Sequence, residues 1–164
     1  MKDGLTETYK DDGSLVLRWT SEQLWVFEMN ITFEPADDDH DDRLMFRLIM
    51  PDNMWFSLGF GTDMFDTDMI AWHAKGKSNS YVGDYFSVKK DTPAADDSND
   101  IEQRLVMALP KNPREENDYN KVAFVCYRNI DTGDSAQDYL IKLREETDMV
   151  YAWRLRDSRW KYHA

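Results

Sequence analysis

The chain has a single cysteine, Cys126. One thiol excludes an intrachain disulfide and any zinc or iron–sulfur site built from several cysteines. It lies in the apolar run Val122-Ala123-Phe124-Val125-Cys126-Tyr127, where a buried, inert thiol is expected rather than a nucleophile. Basic residues are also scarce: 20 Lys and Arg stand against 32 Asp and Glu, a formal net charge of −12. That balance argues against nucleic acid or an anionic membrane surface as partner. It accommodates a basic partner, such as a redox protein with a lysine-rich docking face. No apolar run approaches the roughly 20 residues that a membrane-spanning helix needs. Residues 1–14 are polar and charged, unlike a signal peptide, although the chain could be the excised part of a longer secreted protein. A Gly-rich phosphate loop and a Gly-x-Ser-x-Gly nucleophile elbow are both missing. Carboxylates are numerous, but no spacing singles out a glycosidase pair.

Aromatic residues are what the chain has in quantity: six Trp, eight Tyr and eight Phe among 164 residues. A chain of this length buries roughly 70% of its unfolded surface, so one domain over residues 1–164 is expected to fold without staples. Period-two alternation dominates the pattern. Trp25, Phe27, Met29, Ile31 and Phe33 fall on one side of a strand, as do Leu44, Phe46, Leu48 and Met50 of a second. Trp25, Phe27, Phe46 and Leu48 are expected to face the interior. After a turn at Pro51-Asp52-Asn53 come Met54, Phe56, Leu58 and Phe60 of a third. Shorter runs are Leu15–Trp19, Met69–Ala74, Tyr81–Val88, Leu105–Leu109, Val122–Tyr127, Tyr139–Leu143 and Met149–Trp153. Gly, Pro, Asn and Asp clusters separate them, which predicts an antiparallel sandwich or barrel. No stretch has the period and caps of a long helix; Ile141–Glu146 could make one charged turn.

Three acidic loops interrupt the strands: Asp37–Asp42, Asp91–Asp100 and Arg114–Asp118. Their oxygens suit calcium, but none has the spacing of an EF-hand loop, and solvated hairpin loops are the simpler reading. The turn Asp131-Thr132-Gly133-Asp134 after Arg128 is expected to be structural, with Asp and Thr side chains bonding local N–H groups and Gly133 allowing positive φ. Of the three histidines, His40 sits in an acidic loop, and His73 is expected to be structural or at the surface, alternating with Trp72. His163 stands at the end of Trp160-Lys161-Tyr162-His163.

One corner is chemically unusual. Gly59-Phe60-Gly61-Thr62-Asp63-Met64-Phe65-Asp66 puts a methionine in a polar, glycine-containing turn between two apolar strands. A thioether usually fills a gap in a core; it is also a soft ligand for copper or haem iron. Met69 is a second thioether nearby, expected to enter the core.

The order of these segments resembles the DOMON domain. The likeness starts at Tyr9-Lys10-Asp11-Asp12-Gly13-Ser14-Leu15-Val16-Leu17-Arg18-Trp19 and continues through Met54–Gly61, Met64 and Asp68-Met69-Ile70-Ala71-Trp72. It then takes in Tyr81–Phe86, the acidic Asp96–Asp100, and Tyr127–Asp134 with Asp138-Tyr139. It ends with Val150-Tyr151-Ala152-Trp153 and Tyr162-His163. The resemblance implies an all-β, immunoglobulin-like antiparallel β-sandwich of about nine to eleven strands. In haem-binding members the axial ligands are a Met in the corner and a late His, which by position are Met64 and His163. The resemblance thus implies a haem b electron-transfer domain with no open site on iron, not an enzyme on its own. Phe65, Tyr85, Trp153 and Trp160 are then candidates to bury the macrocycle. Family members commonly accompany a redox partner or a fused membrane or oxidoreductase domain, on the extracellular or lumenal side of a membrane. The alternative is a haem-free module that binds a carbohydrate or a protein partner.

Overall fold

The computed structural model describes residues 4–20, 26–89, 92–110, 120–142 and 145–155. In chain order the elements are β1 (Gly4–Tyr9), β2 (Leu15–Thr20), β3 (Val26–Glu34), β4 (Arg43–Pro51), β5 (Met54–Phe60), β6 (Thr67–Ala74), α1 (Gly76–Asn79), β7 (Tyr81–Ser87), β8 (Ala94–Ala95), β9 (Ile101–Leu109), β10 (Lys121–Asn129) and β11 (Met149–Leu155). The strands form two antiparallel sheets, ordered β1-β2-β3-β4-β10-β9 and β11-β5-β6-β7-β8. The expected all-β sandwich is therefore the fold, and α1 is a single turn of four residues.

Alternation builds the interior. Trp19 lies opposite Phe27, Leu17 opposite Met29, and Ile31 opposite Phe46, so each inward side chain of β2, β3 and β4 meets another. Phe27, Phe46 and Leu48 are fully buried, as expected, while Trp25 lies outside the described residues. From the second sheet come Met54, Phe56, Leu58, Phe60, Ile70 and Trp72. Phe56 sits 4.9 Å from the Trp19 ring and Trp72 5.9 Å from that of Phe46, which ties the sheets together through aromatic contacts. A one-residue slip of β3 or β4 would turn their inward groups to the wetter outer face of the first sheet, so the register is well determined. Phe33, on the same side of β3 near its end, is 38% exposed.

The expected turn at Pro51-Asp52-Asn53 carries the chain from β4 in one sheet to β5 in the other. Asn53 takes a φ of 59° there, and the Asp52 carboxylate accepts from the Gly76 N–H at 2.6 Å. Residues 139–142 are not a strand. The Tyr139 N–H donates to Asp68 at 2.9 Å and its carbonyl accepts from Arg128 at 3.1 Å, so side chains have taken the groups a ladder would use. Strands β1 and β8 were not expected. The first exposes all its residues but Leu5, which pairs with Trp19, and such an edge strand shows little alternation.

The turn after β10 is as expected. Gly133 has a φ of 81°, its N–H donates to Asp131 Oδ1 at 2.9 Å, and the Asp134 N–H donates to Thr132 Oγ1 at 3.3 Å. A Cβ at Gly133 would meet nothing within 4 Å, so the cost of a side chain there is conformational rather than steric. Gly133→Val should lower unfolding free energy by about 1 kcal/mol or more, because a β-branched residue resists positive φ. Chemical denaturation of the variant checks this; an unchanged midpoint would contradict it.

Candidate functional site

The two sheets differ on their outer faces. On β10 burial alternates with partial exposure, the pattern of a sheet wet on one side. On β5 and β6 every residue is buried, so the outer face of the second sheet is shielded as well. Register resolves that face into rows. Ala152, Ser57, Ala71 and Gly83 stand side by side, one from each of β11, β5, β6 and β7. The rows beside this one are Val150, Gly59, Met69 and Tyr85 on one side, where only the glycine is small, and the larger Arg154, Trp55, His73 and Tyr81 on the other. Only small side chains in the middle row let a flat group or a chain segment approach the sheet backbone.

His73 is buried, and its ring stacks on that of Tyr81 at 4.5 Å, so it is a structural histidine. Burial, and then a hydrogen bond with Tyr85, push the Tyr81 hydroxyl up to about 12. Met69 is buried, but it does not enter the sandwich core as expected. Its register with Gly59 and Tyr85 places it on the outer face. Cys126 is buried, and burial raises its thiol to about 12, which makes it an inert core residue.

Met64 lies in the corner between β5 and β6, at the Tyr85 end of this face. The corner is pinned by its own side chains. The Phe65 N–H donates to Asp63 Oδ1 at 2.8 Å, and the Thr67 hydroxyl lies 2.7 Å from the Asp63 carbonyl. The Gly61 N–H donates to the Asp148 carbonyl at 2.8 Å, which ties the corner to the start of β11. The Ser87 hydroxyl bonds the Met64 carbonyl at 2.8 Å, which ties it to the end of β7. Asp66 takes a φ of 45° to turn into β6. A half-buried thioether therefore sits on a fixed backbone, with Phe65 beside it 52% exposed and Val88 at the end of β7 64% exposed.

The other proposed residues do not all gather there. Tyr85 stands on the same outer face, but its ring lies over Gly83, bonds the Tyr81 hydroxyl and tilts against His73 at 6.2 Å rather than meeting Met64. Trp153 does not: opposite Phe56, it points into the sandwich and packs on the core. His163 and Trp160 lie outside the described residues. His40 belongs to the first sheet's β3–β4 loop, 3.4 Å from Asp37 and 3.9 Å from Glu34.

A second constellation lies between the sheets. Arg128 of β10 is fully buried and donates to the buried carboxylate of Asp68 on β6. Asp84 of β7 is 4% exposed, and its Oδ2 accepts the Asp100 N–H at 2.9 Å. Asp138 comes from the loop after β10, its carboxylate 3.7 Å from the same guanidinium. Part of this was legible: an Asp two places before Ile70 and four before Trp72 must point inward with them, as Asp84 must with Val82. Asp138, in the loop after β10, carries no such periodic signal.

Residues 36–154 match the DOMON domain. The chain belongs to the DOMON family. Its fold is similar to the cytochrome domain of Myriococcum thermophilum cellobiose dehydrogenase, with a TM-score of 0.55 at 12% identity over 96% of this chain and 77% of that one. A cytochrome b domain of pyranose dehydrogenase from Coprinopsis cinerea gives a TM-score of 0.43 at 13% identity over 75% of this chain and 60% of that one. No curated protein sequence matches. No helix among the described residues of this DOMON domain is long and apolar enough to cross a membrane.

Burial raises Asp68 to about 6 and Asp84 to about 7, with Arg128 opposing both. Asp138 and Asp96, which face them from two loops, are raised by burial too. These folded values lie above the unfolded value of 3.8, so the native state holds protons more tightly than the unfolded chain. The stability they supply is complete below about pH 4 and is lost as pH rises through about 6 to 7. In EDTA, this DOMON domain should be less stable at pH 8 than at pH 5, by an amount on the order of a few kcal/mol. Denaturation midpoints across that range check the slope, which Asp84→Asn should flatten.

Proposed function

We propose that this DOMON domain binds haem b through Met64 and His163 and passes single electrons to and from a redox partner. The observation that carries the reading is Met64: a thioether held on a pinned corner, at the edge of a shielded, aromatic-flanked sheet face. Haem b held between a thioether and an imidazole supplies one-electron transfer at a fairly high potential, with no coordination position left for oxygen. The likeness of the fold to a domain described as a cytochrome supports this reading.

The chain's own residues set conditions on the ligands. His73 cannot share an iron with Met64. It lies six residues beyond Thr67 along β6, roughly 20 Å of strand. His40 is engaged by its own loop on the first sheet, which leaves His163. Strand β11 starts beside the corner and ends six residues later at the far edge, where Leu155 pairs with Met54. The eight positions from 156 to 163 can span about 26 Å, enough to return over the outer face to the corner. The small residues Ala152, Ser57 and Ala71 would give the edge of the macrocycle room against the sheet, while the Tyr85 ring closes the row over Gly83. Phe65 and Tyr85 would contact the haem, while Trp153 would support the sheet from within. The net charge of −12 suits a basic docking face on the partner, whether a separate protein or an attached oxidoreductase domain, on the extracellular or lumenal side of a membrane.

Protein reconstituted with haem should bind one equivalent and give a six-coordinate, low-spin spectrum that carbon monoxide barely changes. His163→Ala should lose the haem or turn it high-spin. Met64→Ala should keep some haem, open a site to carbon monoxide and lower the potential. His40→Ala should leave the spectrum intact. Absence of defined stoichiometric binding would remove the electron-transfer reading and leave a haem-free module that binds a carbohydrate or a protein.

A further inference from the structure

The carboxylates between the sheets lack partners. Asp68, Asp84 and Asp138 each place an oxygen within 4.8 Å of the others. Asp68 Oδ1 and Asp84 Oδ1 are buried and accept no hydrogen bond, and near both buried oxygens of Asp138 the side chains of Thr132 and Asp100 fall short of good hydrogen-bond geometry. The side chain of Asp138 is 2% exposed, and the Arg128 nitrogen at 3.7 Å is beyond hydrogen-bond distance. Asp96 Oδ2 and Asp100 Oδ2, from the loop between β8 and β9, are buried without acceptor contacts as well. Native proteins rarely leave buried oxygens in this state unless a water or an ion completes them.

Charge makes the same point independently. Three buried carboxylates face one guanidinium, so whenever all three are ionised Arg128 leaves two negative charges uncompensated. A buried uncompensated charge is strongly destabilising. A divalent cation would bring the group to neutrality.

We infer that Asp68, Asp84 and Asp138 form a calcium-binding site between the two sheets of this domain. The donors are all hard oxygens, which select calcium or magnesium over thiophilic metals. A calcium shell, with oxygens at roughly 2.3–2.6 Å, has a diameter matching the spread of these oxygens. Magnesium demands a tighter octahedron and keeps its waters, which a dry interior offers less readily. Asp96 and Asp100 are placed to add oxygens directly or through water. The ion would join β6, β7 and the loop after β10, whose backbone has no ladder of its own. This site is separate from the Met64 corner and does not depend on haem.

The test uses the full chain, dialysed against EDTA and titrated with calcium chloride by calorimetry at pH 7.5. The expected result is one calcium per chain and a higher melting temperature. Asp84→Asn and Asp138→Asn should each weaken binding at least tenfold, while Asp37→Asn in the exposed loop should leave it unchanged. Asparagine matches aspartate in size and shape, so Asp138→Asn should remain folded, which its circular dichroism spectrum verifies. Terbium luminescence displaced by calcium gives a second readout on the unmodified protein. Magnesium binding as tightly as calcium would overturn the assignment. So would binding that survives in the Asp84→Asn/Asp138→Asn double variant. Protein that calcium neither binds nor stabilises, and that only lower pH stabilises, would show that protons satisfy the cluster instead.

Discussion

The contact on which much of this molecule depends is the buried pairing of Arg128 with Asp68. One group belongs to the first sheet and the other to the second, so the pair spans the sandwich at one end of its core. Replacing such a pair by apolar residues is often neutral or better, and its presence is weak evidence for stability as such. What it does here is geometric. The guanidinium bonds the carbonyls of Tyr139 and Asn129, and the Asp68 carboxylate takes the Tyr139 N–H. The segment after β10 is thereby held as a coil against the sandwich end. Arg128 also lies 5.2 Å from the Phe60 ring centroid, so the polar end of the interior grades into its aromatic part.

The second constraint is the asymmetry of the sheets. The first is an ordinary antiparallel sheet, dry on one side and wet on the other. The second is dry on both sides across β5 and β6. A sheet buried on both faces loses the polar alternation that an exposed face permits. This explains why Ser57, Gly59 and Ala71 sit between large apolar residues in strands that would otherwise carry charge. It also concentrates function: the corner that offers a thioether opens on this sheet, and the carboxylate cluster lies just beneath the same edge.

Which strands exist, and which of their side chains share a face, followed from the sequence alone for β2 to β7 and for β9 to β11. Period-two alternation is a local property, and burial of one face leaves it visible. The glycine turn at Asp131–Asp134 was legible for the same reason, since its bonds run between residues two apart. The thioether at Met64 was recognisable because its surroundings in sequence are wrong for a methionine. The rest was decided by contacts far apart in the chain. Sequence could not tell that Trp153 points inward while Tyr85 points out, since that depends on which face of each strand meets the other sheet. Nor could it tell that Met69 leaves the core, or that Tyr139 gives its backbone to side chains 71 and 11 residues away. The gathering of Asp68, Asp84 and Asp138 around one arginine is of this kind. Each aspartate is unremarkable in its own segment, and only the packing of two sheets removes them from water together and leaves their charge to be balanced.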